Sequence, residues 1–299
     1  MRVTDRSRGI FVQSWLNIDQ LNALIAVVNV GGKDVFFDPG ERYCEYGHLA
    51  WQHTFIQGLR QTSSGTSFVS TSGDGYAFNR STRVANLNMD EHGEVTGRID
   101  MGYSGAAALR WRQLALSGDE QSLKDKLRES LEARIPHSLQ VKVTQISNLT
   151  EYEQPMKVSF AVTGTLGVAT GKRLVMPADL FESGAVAKFA EEQRATPIDF
   201  DYPETIADAL RLNFQSGFTV EATPKADKYS MNNRAMYSLS VDSAPTSFTT
   251  RRTFVMGEYL FDAKEYPEVR TYYSEVQTKD KESVVLKLVP VVADAGPTH

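Results

Sequence analysis

Arg80–Met89 and Val95–Tyr103 alternate apolar with polar residues on either side of Asp90-Glu91-His92-Gly93. Period-two patterning on both arms and a glycine at the end of a short polar turn predict a β-hairpin with one buried face. That hairpin commits the middle of the chain to sheet, and the same pattern returns after Ser138. Leu139, Val141 and Val143 alternate with polar residues, as do Met156, Val158, Phe160 and Val162. Further candidate strands are Arg173–Met176, Ala209–Phe214, Thr219–Ala222, Arg234–Val241, Ser247–Val255 and Ser283–Leu288. Strands at short intervals, with Gly, Pro and Asn between them, predict an antiparallel β-sandwich over residues 138–290.

Two helices separate the hairpin from those strands. Gly105–Leu116 is rich in alanine and leucine, and Ser117-Gly118-Asp119 breaks it. Asp119 or Ser117 then caps Glu120–Ala133, where Leu123, Leu127 and Leu131 fall on one face and Ile135-Pro136 ends the run. Glu258–Thr271 reads as a helical stretch interrupted by Pro267. Residues 291–299 read as a disordered tail.

Near the start, the apolar runs Leu24–Val28 and Val35–Phe37 are joined through Gly31-Gly32, and glycine reaches positive φ without steric cost. Asp38-Pro39-Gly40 closes the second run. The segment Gly40–Arg60 is irregular and carries Tyr43, Tyr46, Trp51 and Phe55. A polar stretch from Ser63 to Gly75 connects it to the hairpin.

At 299 residues the chain is long enough for two domains with sizeable cores. A net charge of −5 with basic residues scattered among acidic ones argues against a nucleic-acid or anionic-membrane partner. Apolar runs fall short of the ~20 residues a spanning helix needs, so membrane insertion is not expected. The basic start Met1–Gly9 is not followed by an apolar segment with a cleavage site, which reads as cytoplasmic. The single cysteine excludes an internal disulfide.

The stretches Phe36–Cys44, Tyr46–Leu49, Met89–Gly97 and Lys264–Tyr273 resemble the C-terminal part of bacterial multidomain proteins. These are built from an N-terminal β-sandwich, a transglutaminase-like core and a C-terminal β-sandwich. The resemblance implies that residues 1–75 are the C-terminal half of a transglutaminase-like core. Residues 76–137 would then be a hairpin plus two helices, and 138–290 the sandwich. It also implies an extracytoplasmic setting if the chain is part of a longer protein of this kind.

In that family a helix cysteine, a strand histidine and the aspartate of Asp-Pro form the reactive group. A thiol attacks as thiolate, a paired imidazole generates it, and the aspartate orients the imidazole. The resemblance places Asp38 as the orienting aspartate and puts Ala23, in Leu21-Asn22-Ala23, where histidine is expected. The cysteine helix would lie upstream of this strand pair, and the chain begins only about twenty residues before it, so the nucleophile falls outside the sequence. Asp38 is then an orienter with nothing to orient.

Other candidates carry less. Cys44, with His48 and His53 nearby, could act as a nucleophile or a metal ligand, but a small cysteine packed in an aromatic loop is the simpler reading, and the spacing matches no zinc pattern. Asp38-Pro39-Gly40 is also ordinary turn chemistry. His92 sits in a solvated turn. Arg251 and Arg252 point to opposite faces of a strand, where a cross-strand salt bridge is expected rather than an anion site. Gly164–Lys172 lacks the glycine and hydroxyl residue of a phosphate loop.

The expected class is α+β, and the expected function is that of a non-catalytic binding or scaffold module with no cofactor or metal. Its partner would be a protein, a peptide or a glycan. The rival is a cysteine-type transglutaminase or peptidase whose nucleophile comes from an upstream region. A half-core missing its helix would also leave Leu24, Val28 and Phe36 uncovered and favour self-association.

Overall fold

A computed structural model describes residues 1–15, 17–214 and 217–289. The tail expected at 291–299 lies outside the described residues. The first part of the chain contains β1 (Arg2–Val3), β2 (Ala23–Leu24), β3 (Ala26–Val30), β4 (Lys33–Phe37), β5 (Gln57–Thr62) and β6 (Gly65–Ser70). β2, β1, β5 and β6 form one small sheet, while β3 and β4 form a separate hairpin turning at Gly31 and Gly32, both at positive φ. Val3, Ile25, Leu49 and Ile56 make the core of this unit, and Ala23 and Phe36 pack against it.

The strands β7 (Arg80–Met89) and β8 (Glu94–Tyr103) form the long hairpin, with the Asp90 carboxylate accepting the N–H groups of His92 and Glu94 across its turn. Two helices follow, α1 (Gly105–Ala115) and α2 (Glu120–Glu132). Of the two possible caps of α2, Asp119 takes the role, accepting from Ser122 N at 2.8 Å. Leu123, Leu127 and Leu131 are all buried.

The remaining strands are β9 (Leu139–Ser147), β10 (Met156–Thr165), β11 (Val168–Thr170), β12 (Arg173–Pro177), β13 (Ile198–Asp199), β14 (Glu204–Phe214), β15 (Phe218–Ala222), β16 (Asp227–Met231), β17 (Ala235–Ala244), β18 (Ser247–Met256), β19 (Leu260–Phe261) and, after α3 (Tyr266–Asp280), β20 (Ser283–Leu288). Pro267 starts α3 rather than interrupting a helix, because the first turn needs no proline N–H. The loop 164–172 is a strand connection through β11, as its failed phosphate-loop frame implies.

Strands dominate, and eight of them make one sheet in the order β16-β17-β18-β14-β7-β8-β10-β9. All its pairings are antiparallel except β14 with β7, which run parallel in the register Leu210↔Ala85. The sheet is therefore continuous across residue 137, and the long hairpin is an integral part of it rather than a separate segment. A four-stranded sheet, β11-β12-β20-β15, shares a core with it: Leu174, Met176, Val284 and Leu286 meet Leu87, Ile99 and Phe160, with the α2 leucines beside them. At the other end α3 covers β16–β18, where Tyr266, Val269, Tyr272 and Val276 pack on Tyr237, Leu239 and Phe254.

Between these two apolar clusters the same sheet face turns ionic. Arg83 occupies an inward position of β7 and grips Asp208 of β14 with two bonds, Nε–Oδ1 at 2.6 Å and Nη2–Oδ2 at 2.7 Å, and also Glu182 at 2.6 Å. Arg252 of β18 holds Asp280 at the end of α3 at 2.7 and 2.9 Å and reaches Asp208 at 3.1 Å. Tyr237 donates to the same Asp280 at 2.6 Å. Arg252 and Asp208 are direct cross-strand partners, so the expected salt bridge forms, while Arg251 projects to the opposite, exposed face and pairs with Asp242.

Candidate functional site

The Asp-Pro turn after β4 brings the Asp38 carboxylate inward rather than toward solvent. Its Oδ2 accepts Ala50 N at 3.1 Å and meets His53 Nδ1 at 2.6 Å, with the carboxylate fully shielded. Its Oδ1 has no partner among the described residues. Burial works to lower the basicity of His53, but the bond to Asp38 and the charges of Asp38, Asp5 and Glu41 outweigh it, and the imidazole is raised above its ordinary range. Asp38 therefore orients a histidine after all. The residue comes from the loop fifteen positions downstream, not from the β2 strand. Ala23 pairs with Val3 and packs into the small core, where a ring is absent.

The aromatic loop makes a second pair. His48 Nδ1 lies 2.9 Å from Asp74 Oδ1, and its ring stacks on Phe78 with centroids 4.1 Å apart and planes 5° from parallel. The bond to Asp74 raises the His48 pKa against the opposing effect of burial. Cys44 donates its thiol to the His48 carbonyl at 3.5 Å. The two histidines thus take different carboxylates, and Cys44 joins His48 in one place.

That place is a narrow cleft between the loop, the segment 74–79 and one face of α1, with only about 20 Å³ of enclosed space. Tyr43 and Phe55 both line it with left-handed backbone, φ 69° and 54°, a conformation costly for large side chains and held here by the surrounding contacts. The opposite wall is α1. It starts at Gly105, whose φ of 59° lets the helix begin directly against Asn79 and Phe78, and Asn79 Oδ1 accepts Ala106 N at 2.9 Å. Arg112 sits at the far end, its guanidinium donating to the carbonyls of Asn148, Glu151, Tyr152 and Gln154.

Chemically, the cleft discourages a thiolate. Burial pushes the Cys44 thiol up to about 12, and Asp38, Glu41, Glu45 and Asp74 add to the shift. Of the residues flagged by sequence, the structure groups Asp38 with His53 and Cys44 with His48, and leaves His92 exposed in the β7–β8 turn. Asp74 was not legible. It lies in a Gly-Asp-Gly stretch that reads as connecting structure, and only the fold brings it to His48. Arg83 and Asp208 were missed too, although a charge at an inward position of an alternating strand, as at Arg83, was an available signal.

Residues 172–286 match the family model DUF3858, a domain of unknown function with a solved structure. Among solved structures, the crystal structure of a "putative protease" from Parabacteroides distasonis is similar, with a TM-score of 0.48 and 10% identity. The similarity covers 96% of this chain and 39% of that one, so the present chain spans well under half of its length. No curated protein matches the chain. No helix among the described residues is long and apolar enough to cross a membrane.

Proposed function

We propose that the chain is a non-catalytic, transglutaminase-like module that works by binding, with the loop–α1 cleft as its site. The observation that carries this reading is the placement of Cys44, whose thiol donates to the His48 carbonyl at 3.5 Å rather than to an imidazole and is pushed up to about 12 by burial. A pKa of about 12 leaves on the order of one thiol in ten thousand ionised at pH 8, against roughly a quarter for an ordinary cysteine. The other two groups of the reaction are unsuited as well. Ala23 stands where the resemblance expects histidine, and Asp38 spends its one bonded oxygen on Ala50 and His53.

One grouping favours the enzymatic rival: Cys44, His48 and Asp74 line a single cleft, with Asp74 on His48 as an orienting carboxylate would be. The electrostatics work against it. Four carboxylates around the sulfur oppose the negative charge that a nucleophile must carry, whereas an active thiol has cationic neighbours.

The test is an assay of peptide hydrolysis and of amine incorporation into a glutamine-containing protein, run on the wild-type chain and on Cys44→Ser. The reading expects both proteins at background. Turnover in the wild type that Cys44→Ser abolishes would overturn it.

A further inference from the structure

The β3–β4 hairpin turns an apolar face to solvent. Ala26, Val28 and Val30 alternate along β3 and so share one face, and all three are exposed, Val28 by 48% and Val30 by 52%. Phe36 belongs to the opposite face and packs on the small core, which fixes the Val28 face outward. Beside that face β3 also has a free edge. Val30 and Lys33 close the two-residue turn, so the bonded pairs with β4 fall at Ala26, Val28 and Val30. The backbone N–H and C=O groups of Val27 and Asn29 point away from β4 and have no partner among the described residues.

The other strand edges are blunted. β9 is bulged against β10 and carries Lys142, β15 is bulged against β20 and carries Glu221, and β16 carries Asp227 and Lys228. β2, β11, β13 and β19 are two or three residues long, and β4 carries Lys33 and Asp34. β6 is uncharged too, but Thr66, Ser67 and Ser70 leave it little apolar surface. β3 combines an uncharged edge with an apolar face.

A strand edge is completed by another strand, and a second β3 fits this one. Set antiparallel about a two-fold axis through Val28, Val27 bonds to Asn29 of the second copy and Asn29 to its Val27. Val28 then meets its own equivalent, and the small Ala26 lies opposite Val30. This register pairs all five residues of the strand. β3 holds no charged side chain, and residues 1–70 contain six basic and six acidic residues, so two copies approach without net repulsion.

We propose that the chain forms a dimer by antiparallel pairing of β3 with β3 of a second copy, which joins two hairpins into one four-stranded sheet. The contact uses none of the residues lining the cleft, so it stands apart from the binding reading. Five residues on each side make a small interface, and the dimer is weak and reversible.

Two measurements on the full chain test this. Sedimentation equilibrium from about 1 μM to about 1 mM should show the mean mass rising from that of one chain toward that of two. Val28→Lys should hold it at one by setting like charges opposite each other, with the circular dichroism spectrum and the melting temperature at low concentration as in the wild type. Disulfide trapping then fixes the register, because Cα atoms in a non-hydrogen-bonded antiparallel pair lie about 4.5 Å apart, within reach of a disulfide. In a Cys44→Ser background, Val28→Cys should give a linked dimer about tenfold faster than Thr66→Cys, which probes the edge of β6. A mass that stays at one chain throughout, or Thr66→Cys linking as fast as Val28→Cys, would overturn the proposal. Growth beyond two chains would overturn it as well, since a two-fold strand pair closes on itself.

Discussion

Asp38 Oδ2 and His53 Nδ1 lie 2.6 Å apart, in a place where the aspartate side chain has no contact with solvent. The pair ties the end of β4 to the loop that supplies Leu49 and Ile56 to the small core. It converts a residue that resembles a catalytic orienter into a structural anchor.

Asp38→Asn should therefore unfold the chain more easily. Removing one member of a buried charged pair costs about 3–5 kcal/mol. The raised His53 pKa sets the pH window. Its stabilisation is fully present below the unfolded histidine value of 6.5 and is lost as pH rises through the higher folded value. The difference between wild type and Asp38→Asn in urea should be larger at pH 6 than at pH 9. A difference that grows with pH would contradict the pairing.

Asp179 gives the opposite kind of group. It is fully buried, faces Arg252 Nε at 3.3 Å, and its Oδ2 has no hydrogen-bond partner among the described residues. Burial and the nearby Asp208 charge push its pKa from 3.8 to about 7, more than Arg252 and Arg83 offset. The folded state thus holds a proton that the unfolded state gives up, and stability declines as pH rises from about 4 to about 7 by up to ~1.4 kcal/mol per unit. Asp179→Asn should flatten that slope and leave the protein more stable than wild type at pH 8. An unchanged slope in urea titrations across this range would refute the assignment.

Arg252→Met should destabilise strongly. The substitution leaves Asp280, Asp208 and Asp179 facing one another in a site where Arg252 is about 95% buried. The expected loss is about 3–5 kcal/mol, and a double substitution with Asp280→Leu should recover part of it, because removing both partners is milder than stranding one. Failure of the double variant to improve on the single one would contradict this account.

Arg6→Ala should loosen the small N-terminal unit from the β13–β19 strand pair. Arg6 forms a two-bond pair with Asp199 at 2.8 and 3.0 Å, donates to the Asp201 carbonyl at 2.9 Å, and sits 4.5 Å over the Tyr259 ring. Phe55 stacks on the other part of that contact, 4.4 Å from Tyr259. Losing the guanidinium should weaken the docking by about 1–3 kcal/mol. The readout is limited proteolysis, which should cut the segment 71–79 faster than in wild type. Cleavage at the wild-type rate would show that Arg6 does not hold the unit.

Much of the sheet was legible because its local signals agree. The β7–β8 hairpin, the α2 leucines and β20 each declare themselves through spacing alone. The parallel pairing of β14 with β7 does not, since it joins residues about 125 positions apart and leaves no trace in either strand's own pattern. That pairing, together with β8 on β10, places the hairpin in the middle of the large sheet. The uncovered half-core was legible in part: Leu24 and Val28 are 63% and 48% exposed, but Phe36 is packed because Leu49 and Ile56 return over the hairpin. In the candidate site, Cys44, His48, His53 and Asp38 were all visible as residue types. Which carboxylate each histidine takes depends on where the irregular loop 40–60 folds back, and glycine-flanked Asp74 gave no local sign of its role.

The most direct measurement is the rate of Cys44 alkylation by iodoacetamide from pH 6 to pH 11, followed by mass spectrometry. The account predicts a rate well below that of free cysteine throughout neutral pH, rising without a plateau toward the alkaline end. His48→Asn should leave the profile unchanged. Rapid alkylation near pH 7, with a plateau that His48→Asn removes, would mean that His48 generates the Cys44 thiolate and would contradict the non-catalytic reading.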